Sequence, residues 1–66
     1  MSDREIGKRL KKARKDTELT QLEVAEKVNV SVNYYARIER GEVTPSMETL
    51  KDIMRTLKIK SLEISS

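Results

Sequence analysis

Cysteine and histidine are both missing from this chain of 66 residues. Their absence removes disulfides, most zinc sites and the commonest general base. A chain without cysteine also fits a reducing compartment. Two glycines are too few for a glycine-rich phosphate loop. The carboxylates are scattered, mostly on outward faces of the expected helices, so no constellation supports catalysis, a metal or a cofactor. No apolar run approaches the roughly 18 residues of a membrane span. The start, Met1-Ser2-Asp3-Arg4, does not read as a signal peptide. The expectation is a cytoplasmic, non-enzymatic protein that does not enter a membrane.

What is present is charge. Lysine and arginine number 14 against 11 acidic residues, a net charge of +3. It is unevenly placed: residues 1–16 hold seven basic and three acidic groups, residues 17–66 seven and eight. A concentrated basic surface suits a polyanion such as nucleic acid or an anionic membrane, although a solvated helix face has the same composition. A chain this short is one domain, residues 1–66, and buries only about 60% of the surface its unfolded form exposes. Oligomerisation or a ligand would help it.

The stretch from Thr20 to Gly41 organises the rest. Thr20 suits an N-cap, with Glu23 completing a capping box and Leu19 and Val24 forming a hydrophobic staple. Ser31 repeats the device with Val30 and Tyr35, and Ser2 with Glu5, Met1 and Ile6. Asn29 and Gly41 fit the left-handed positions that end helices. The spacing predicts helices over about 3–15, 21–28, 32–40 and 47–57. Ile6, Leu10 and Ala13 should face inward in the first, Val24, Ala25 and Val28 in the second, and Tyr35 and Ile38 in the third. Met47, Leu50, Ile53, Met54 and Leu57 should do so in the fourth. Leu22 falls outside its stripe, and Ala25 lets two helices cross closely. Pro45 fits the first turn of the fourth helix, capped by Thr44 or Ser46. Ile59, Leu62 and Ile64 leave room for one more turn. The fold class expected is all-α: a bundle of four helices plus a short fifth.

In the third helix Val32, Asn33, Ala36 and Arg37 share a face apart from the core. It holds an amide, a guanidinium and two small apolar groups. Read alone, it is an exposed polar face with Arg37 paired to a nearby acid. Of the two aromatics, Tyr35 reads as core, while Tyr34 is left open between helix packing and the outer surface. Adjacent tyrosines do not make a base-stacking platform. Met47 and Met54 read as core filler.

The block Leu19, Thr20-Gln21, Val24-Ala25, Val28, Asn29, Val30, Ser31, Ile38-Glu39-Arg40-Gly41, Pro45-Ser46 resembles the helix-turn-helix family of phage repressors and Cro proteins (the Cro/C1 type). The resemblance implies a lambda-repressor-like domain that binds operator DNA, usually as a dimer, with the third helix in the major groove. It makes Asn33 and Arg37 the base readers, matching the edges of adenine and guanine, with Val32 and Ala36 against thymine methyls. Phosphate contacts would fall to Arg14, Thr20, Gln21, Ser31, Arg40 and Thr44. Arg14 and Glu39 resemble the family's ion pair between the first helix and the end of the third. Three residues depart from the family pattern: Asn29 for glycine in the turn, Glu18 for glycine before the second helix, and Glu42-Val43 where many members are basic.

The expected function is a sequence-specific, double-stranded-DNA-binding transcriptional repressor. The alternatives are an antitoxin that binds a toxin and its own promoter, or an adaptor that binds protein without DNA. A palindromic operator would be read by a homodimer, with Leu57, Ile59, Leu62 and Ile64 as a candidate interface. The ending Ile64-Ser65-Ser66 leaves room for a further C-terminal domain or partner that does the pairing.

Overall fold

The computed structural model of the chain describes residues 2–59. Four helices follow one another among them: α1 (Asp3–Asp16), α2 (Gln21–Lys27), α3 (Val32–Glu39) and α4 (Met47–Thr56). Every one begins at a hydroxyl. The side chains of Ser2, Thr20, Ser31 and Ser46 accept the backbone N–H of Glu5, Glu23, Tyr34 and Thr49, respectively. Each such cap contributes about 1 kcal/mol. Only Thr20 gains the reciprocal half, its own N–H donating to the Glu23 carboxylate at 2.8 Å. Ser2 caps α1 without that return, and the staple partner proposed at Met1 lies outside the described residues.

The helix ends share a second device. Thr17, Val28, Arg40 and Leu57 are the C-caps, and the next residue, Glu18, Asn29, Gly41 or Lys58, takes φ between 59° and 76°. Two bonds then close each end. After α2, Asn29 N–H donates to Glu26 C=O at 3.3 Å and Val30 N–H to Ala25 C=O at 3.0 Å. The same pair of bonds recurs after α1, α3 and α4. This is the Schellman motif, which satisfies carbonyls that a helix end leaves free. Because Val28, Arg40 and Leu57 serve as caps, α2, α3 and α4 each stop one residue short of the sequence expectation, and α1 runs one residue longer. Pro45 precedes the Ser46 cap and so lies outside α4.

Leu10, Val24, Ala25, Val28, Tyr35, Ile38, Ile53 and Leu57 form the core. Burying side chains of this kind contributes about 1.5–3 kcal/mol apiece for the larger ones. Leu22 is 52% exposed, as its place off the stripe requires. Ile6 and Ala13 lie at the margin of the core, and Tyr34 packs against it from outside. The methionines depart from expectation. Met47 is 65% exposed and Met54 only partly buried. Val43, in the loop before α4, packs on the core, and Pro45 is buried. Leu57, a candidate for a dimer interface, is 2% exposed and belongs to the core of its own chain. Ile59 packs on that core. Leu62, Ile64 and the expected fifth helix lie outside the described residues.

Helices α2 and α3 pack on one another, α1 packs on α3, and α4 packs on α2. The approach of α1 to α3 depends on Gly7, which is buried. A Cβ there would stand 2.4 Å from the carbonyl oxygen of Glu39 and 2.6 Å from that of Ile38. No side chain fits such a gap, so backbone meets backbone at the C-terminal end of α3.

Candidate nucleic-acid interface

Helix α3 turns two unlike faces to its surroundings. Tyr35, Ile38 and Glu39 point inward and are buried. Val32, Asn33 and Arg37 are exposed, and Ala36 is half-buried beside them. The outer face named from spacing is therefore free, with Asn33 and Arg37 one turn apart on it. Arg37 does contact an acid, Glu42, at 3.4 Å through Nε, yet its side chain keeps 47% of its exposure.

A buried ionic cluster holds α3 in place. The Glu39 side chain is 2% exposed. Its Oε2 accepts from Arg14 Nε at 2.6 Å, and its Oε1 from Arg14 Nη2 at 3.2 Å and from Gln21 Nε2 at 3.0 Å. Arg14 Nη1 donates to the Leu19 carbonyl at 2.9 Å. One carboxylate thus ties the end of α3 to α1, to the first residue of α2 and, through Arg14, to the turn between them. Burial alone pushes the Glu39 carboxyl up, but the hydrogen bonds from Arg14 and Gln21 outweigh it and hold it below the usual carboxylate range. The same carboxylate raises the Arg14 guanidinium. Tyr35 Oη is buried beside this cluster. It feels Glu39 and Arg14 as neighbours but completes a hydrogen bond to neither. Burial, with Glu39 adding to it, pushes its phenol well up.

The residues named for phosphate contact divide into two sets. Thr20 and Ser31 accept backbone N–H groups as caps, at 3.0 Å each, and each hydroxyl keeps its own proton to donate. Gln21 spends one amide proton on Glu39 and keeps a second. Arg14 is 12% exposed, with three of its nitrogens already bonded to protein, so its role here is to hold Glu39. Arg40 forks onto Glu42, with Nε at 2.6 Å and Nη2 at 3.4 Å. The Thr44 hydroxyl donates to the Asp3 carboxylate. Two contributors escaped the sequence reading. Gly7 was not singled out, because a glycine inside a helical pattern does not by itself announce a close helix approach. Glu42 was noted as a departure from type, but its reach back to Arg37 across Gly41 was not.

The sequence profile described as Helix-turn-helix matches residues 10–64. The chain belongs to this helix-turn-helix family, of the Cro/C1 type. The helix-turn-helix chain is similar to the immunity repressor protein of Bacillus phage phi105, 44% identical over 55 residues, which are 83% of this chain and 38% of the phage protein. It is also similar to multiprotein-bridging factor 1 of Candida albicans, 36% identical over 58 residues, 88% of this chain and 38% of that protein. The Debaryomyces hansenii protein of the same name is 33% identical over 58 residues, 88% of this chain and 39% of its own. The helix-turn-helix chain thus spans about two fifths of the length of these relatives. No solved structure matches it. Of the family's departures, Glu18 and Asn29 both adopt the left-handed conformation that glycine would take, with φ of 59° and 60°. Both turns therefore carry a side chain in a region that disfavours one.

Among the described residues no group of three or more acidic side chains stands close enough to hold a metal ion. No helix among them is long and apolar enough to cross a membrane.

Proposed function

We propose that the chain binds double-stranded DNA sequence-specifically and represses transcription, with α3 in the major groove. The observation that carries this is the outer face of α3. Its amide and guanidinium are exposed side by side on a helix whose inner face is locked by Glu39, Arg14 and Gln21. In this reading Asn33 meets an adenine edge and Arg37 a guanine edge, each good two-point contact discriminating by about 1–3 kcal/mol. Val32 and Ala36 pack on thymine methyls. Thr20, Gln21 and Ser31 donate to phosphates, which set register without reading sequence. Membership of the helix-turn-helix family and the 44% identity to a phage repressor support this over the antitoxin and adaptor readings.

Two copies on a palindromic operator would place their α3 helices about 34–36 Å apart, on successive turns of the groove. Of the apolar residues expected to pair the copies, Leu57 is committed to the core of its own chain and Ile59 packs on it, while Leu62 and Ile64 lie outside the described residues.

Selection of bound sites from random duplex DNA tests the proposal. The expected result is an enriched inverted repeat whose binding weakens steeply with salt. Arg37→Ala should lose preference at one base pair of each half-site. Binding without any enriched sequence would refute the reading.

A further inference from the structure

The end of α3 is folded so that residue 42 returns to residue 37. Gly41 N–H donates to Ile38 C=O at 3.0 Å and Glu42 N–H to Arg37 C=O at 2.9 Å, with Gly41 at φ 76° between them. These bonds set the Glu42 backbone against the last turn of α3, and its carboxylate lies between two guanidinium groups. They are not used alike. Arg40 closes a two-point fork, Nε to Oε2 at 2.6 Å and Nη2 to Oε1 at 3.4 Å. Arg37 is touched only at Nε, 3.4 Å from Oε1. Among the described residues its Nη1 and Nη2 have no protein partner, and this terminal pair can match the O6 and N7 of guanine. All three side chains are about half exposed, so each remains within reach of a ligand.

We propose that Glu42 sets the sequence discrimination of the α3 face. It steadies Arg37 through Nε, leaving the terminal nitrogens for a base, and it occupies Arg40, keeping that cation off the phosphates. The proposal rests on the DNA-binding reading above. Phosphate contacts tighten binding to every sequence, whereas base contacts tighten binding to one. Withdrawing Arg40 lowers the first term. Holding Arg37 in one arrangement protects the second, because less side-chain freedom is lost when the base is met. The two arginines, Arg40 foremost, hold the Glu42 carboxyl below the usual carboxylate range, so it stays charged near neutral pH.

The test compares three duplexes: the best selected site, that site with the base pair read by Arg37 changed, and an unrelated sequence. In Glu42→Gln, binding to the unrelated duplex should tighten about two- to fivefold, and its salt slope should steepen by about 0.9, one phosphate contact. The preference for the selected site over the changed one should fall severalfold. Arg40→Gln reads the same contact without touching Glu42. Alone it should change binding less than about twofold, and in the Glu42→Gln background it should cancel the gain. Equal tightening on all three duplexes with preference intact would overturn the proposal, as would no tightening at all, or a large loss in Arg40→Gln alone. If the parent chain selects a site normally and these outcomes follow, only the role of Glu42 falls. If the parent chain selects no site, the DNA reading falls with it.

Discussion

Replacing Glu39 with glutamine removes one charge from the only buried carboxylate among the described residues and leaves its shape. The carboxylate accepts three hydrogen bonds, two from Arg14 and one from Gln21. A glutamine offers one oxygen in place of two, and its NH2 must face a donor, either Arg14 or Gln21. Arg14 then sits 12% exposed with no counter-charge. Breaking a buried pair from one side costs about 3–5 kcal/mol. Because Arg14 keeps a bond to the Leu19 carbonyl and the glutamine oxygen retains one donor, the loss should lie near the lower end, about 3 kcal/mol. A domain of this size has a total stability of about 3–10 kcal/mol. At roughly 4–8 °C per kcal/mol for a small domain, Tm should fall by about 12–24 °C. Melting followed by circular dichroism and urea unfolding at pH 7 both read this. The acid limb supplies a second check. Glu39 is depressed when folded, so its contribution is present above its unfolded pKa of about 4.3 and is lost as pH falls through the folded value. The parent chain should therefore destabilise in acid below about pH 4.3, while Glu39→Gln shows a flatter acid limb. A Tm within about 2 °C of the parent would show that the cluster contributes no net stability, and the argument from burial would fail.

Three further changes test the backbone and the core. Gly7→Ala should destabilise by about 1–3 kcal/mol in urea despite the better helix propensity of alanine, because its Cβ enters the space of the Glu39 and Ile38 carbonyls; an unchanged midpoint would mean that α1 can back away freely. Glu18→Gly should stabilise by about 1 kcal/mol by relieving the left-handed position at φ 59°, and a fall in Tm would contradict that strain. Tyr35→Phe removes a buried hydroxyl that lacks a partner, so its stability should stay within about 1 kcal/mol of the parent or rise. A larger loss would show that Oη bonds Glu39 in solution.

Local signals proved the most legible. The hydroxyls at 2, 20, 31 and 46 cap helices because a cap is an interaction over three residues, complete within the stretch that carries it. The positions of Asn29 and Gly41 were legible for the same reason. Glu18 and Lys58 were not read as left-handed, since neither residue type advertises that conformation. The inward stripes of α2 and α3 followed the helical period, as did the exposure of Val32, Asn33 and Arg37. Met47 failed because a period says which side of a helix a residue occupies, not whether anything stands opposite.

By itself, then, the sequence determined where the helices begin, which faces they bury, and that α3 offers an amide beside a guanidinium. Each of these follows from neighbours within a turn or two. The tertiary structure alone decided what those groups have left to give. Arg14 lies 25 positions from Glu39, and Thr44 lies 41 from Asp3; helical spacing reaches across neither, so the first pair was expected only from the family resemblance and the second not at all. Packing of α1 on α3 through Gly7 brought the first pair together and spent a cation on the core. The bend at Gly41 turned Glu42 back onto Arg37 and Arg40, so the charges that remain free are fewer than the composition suggested.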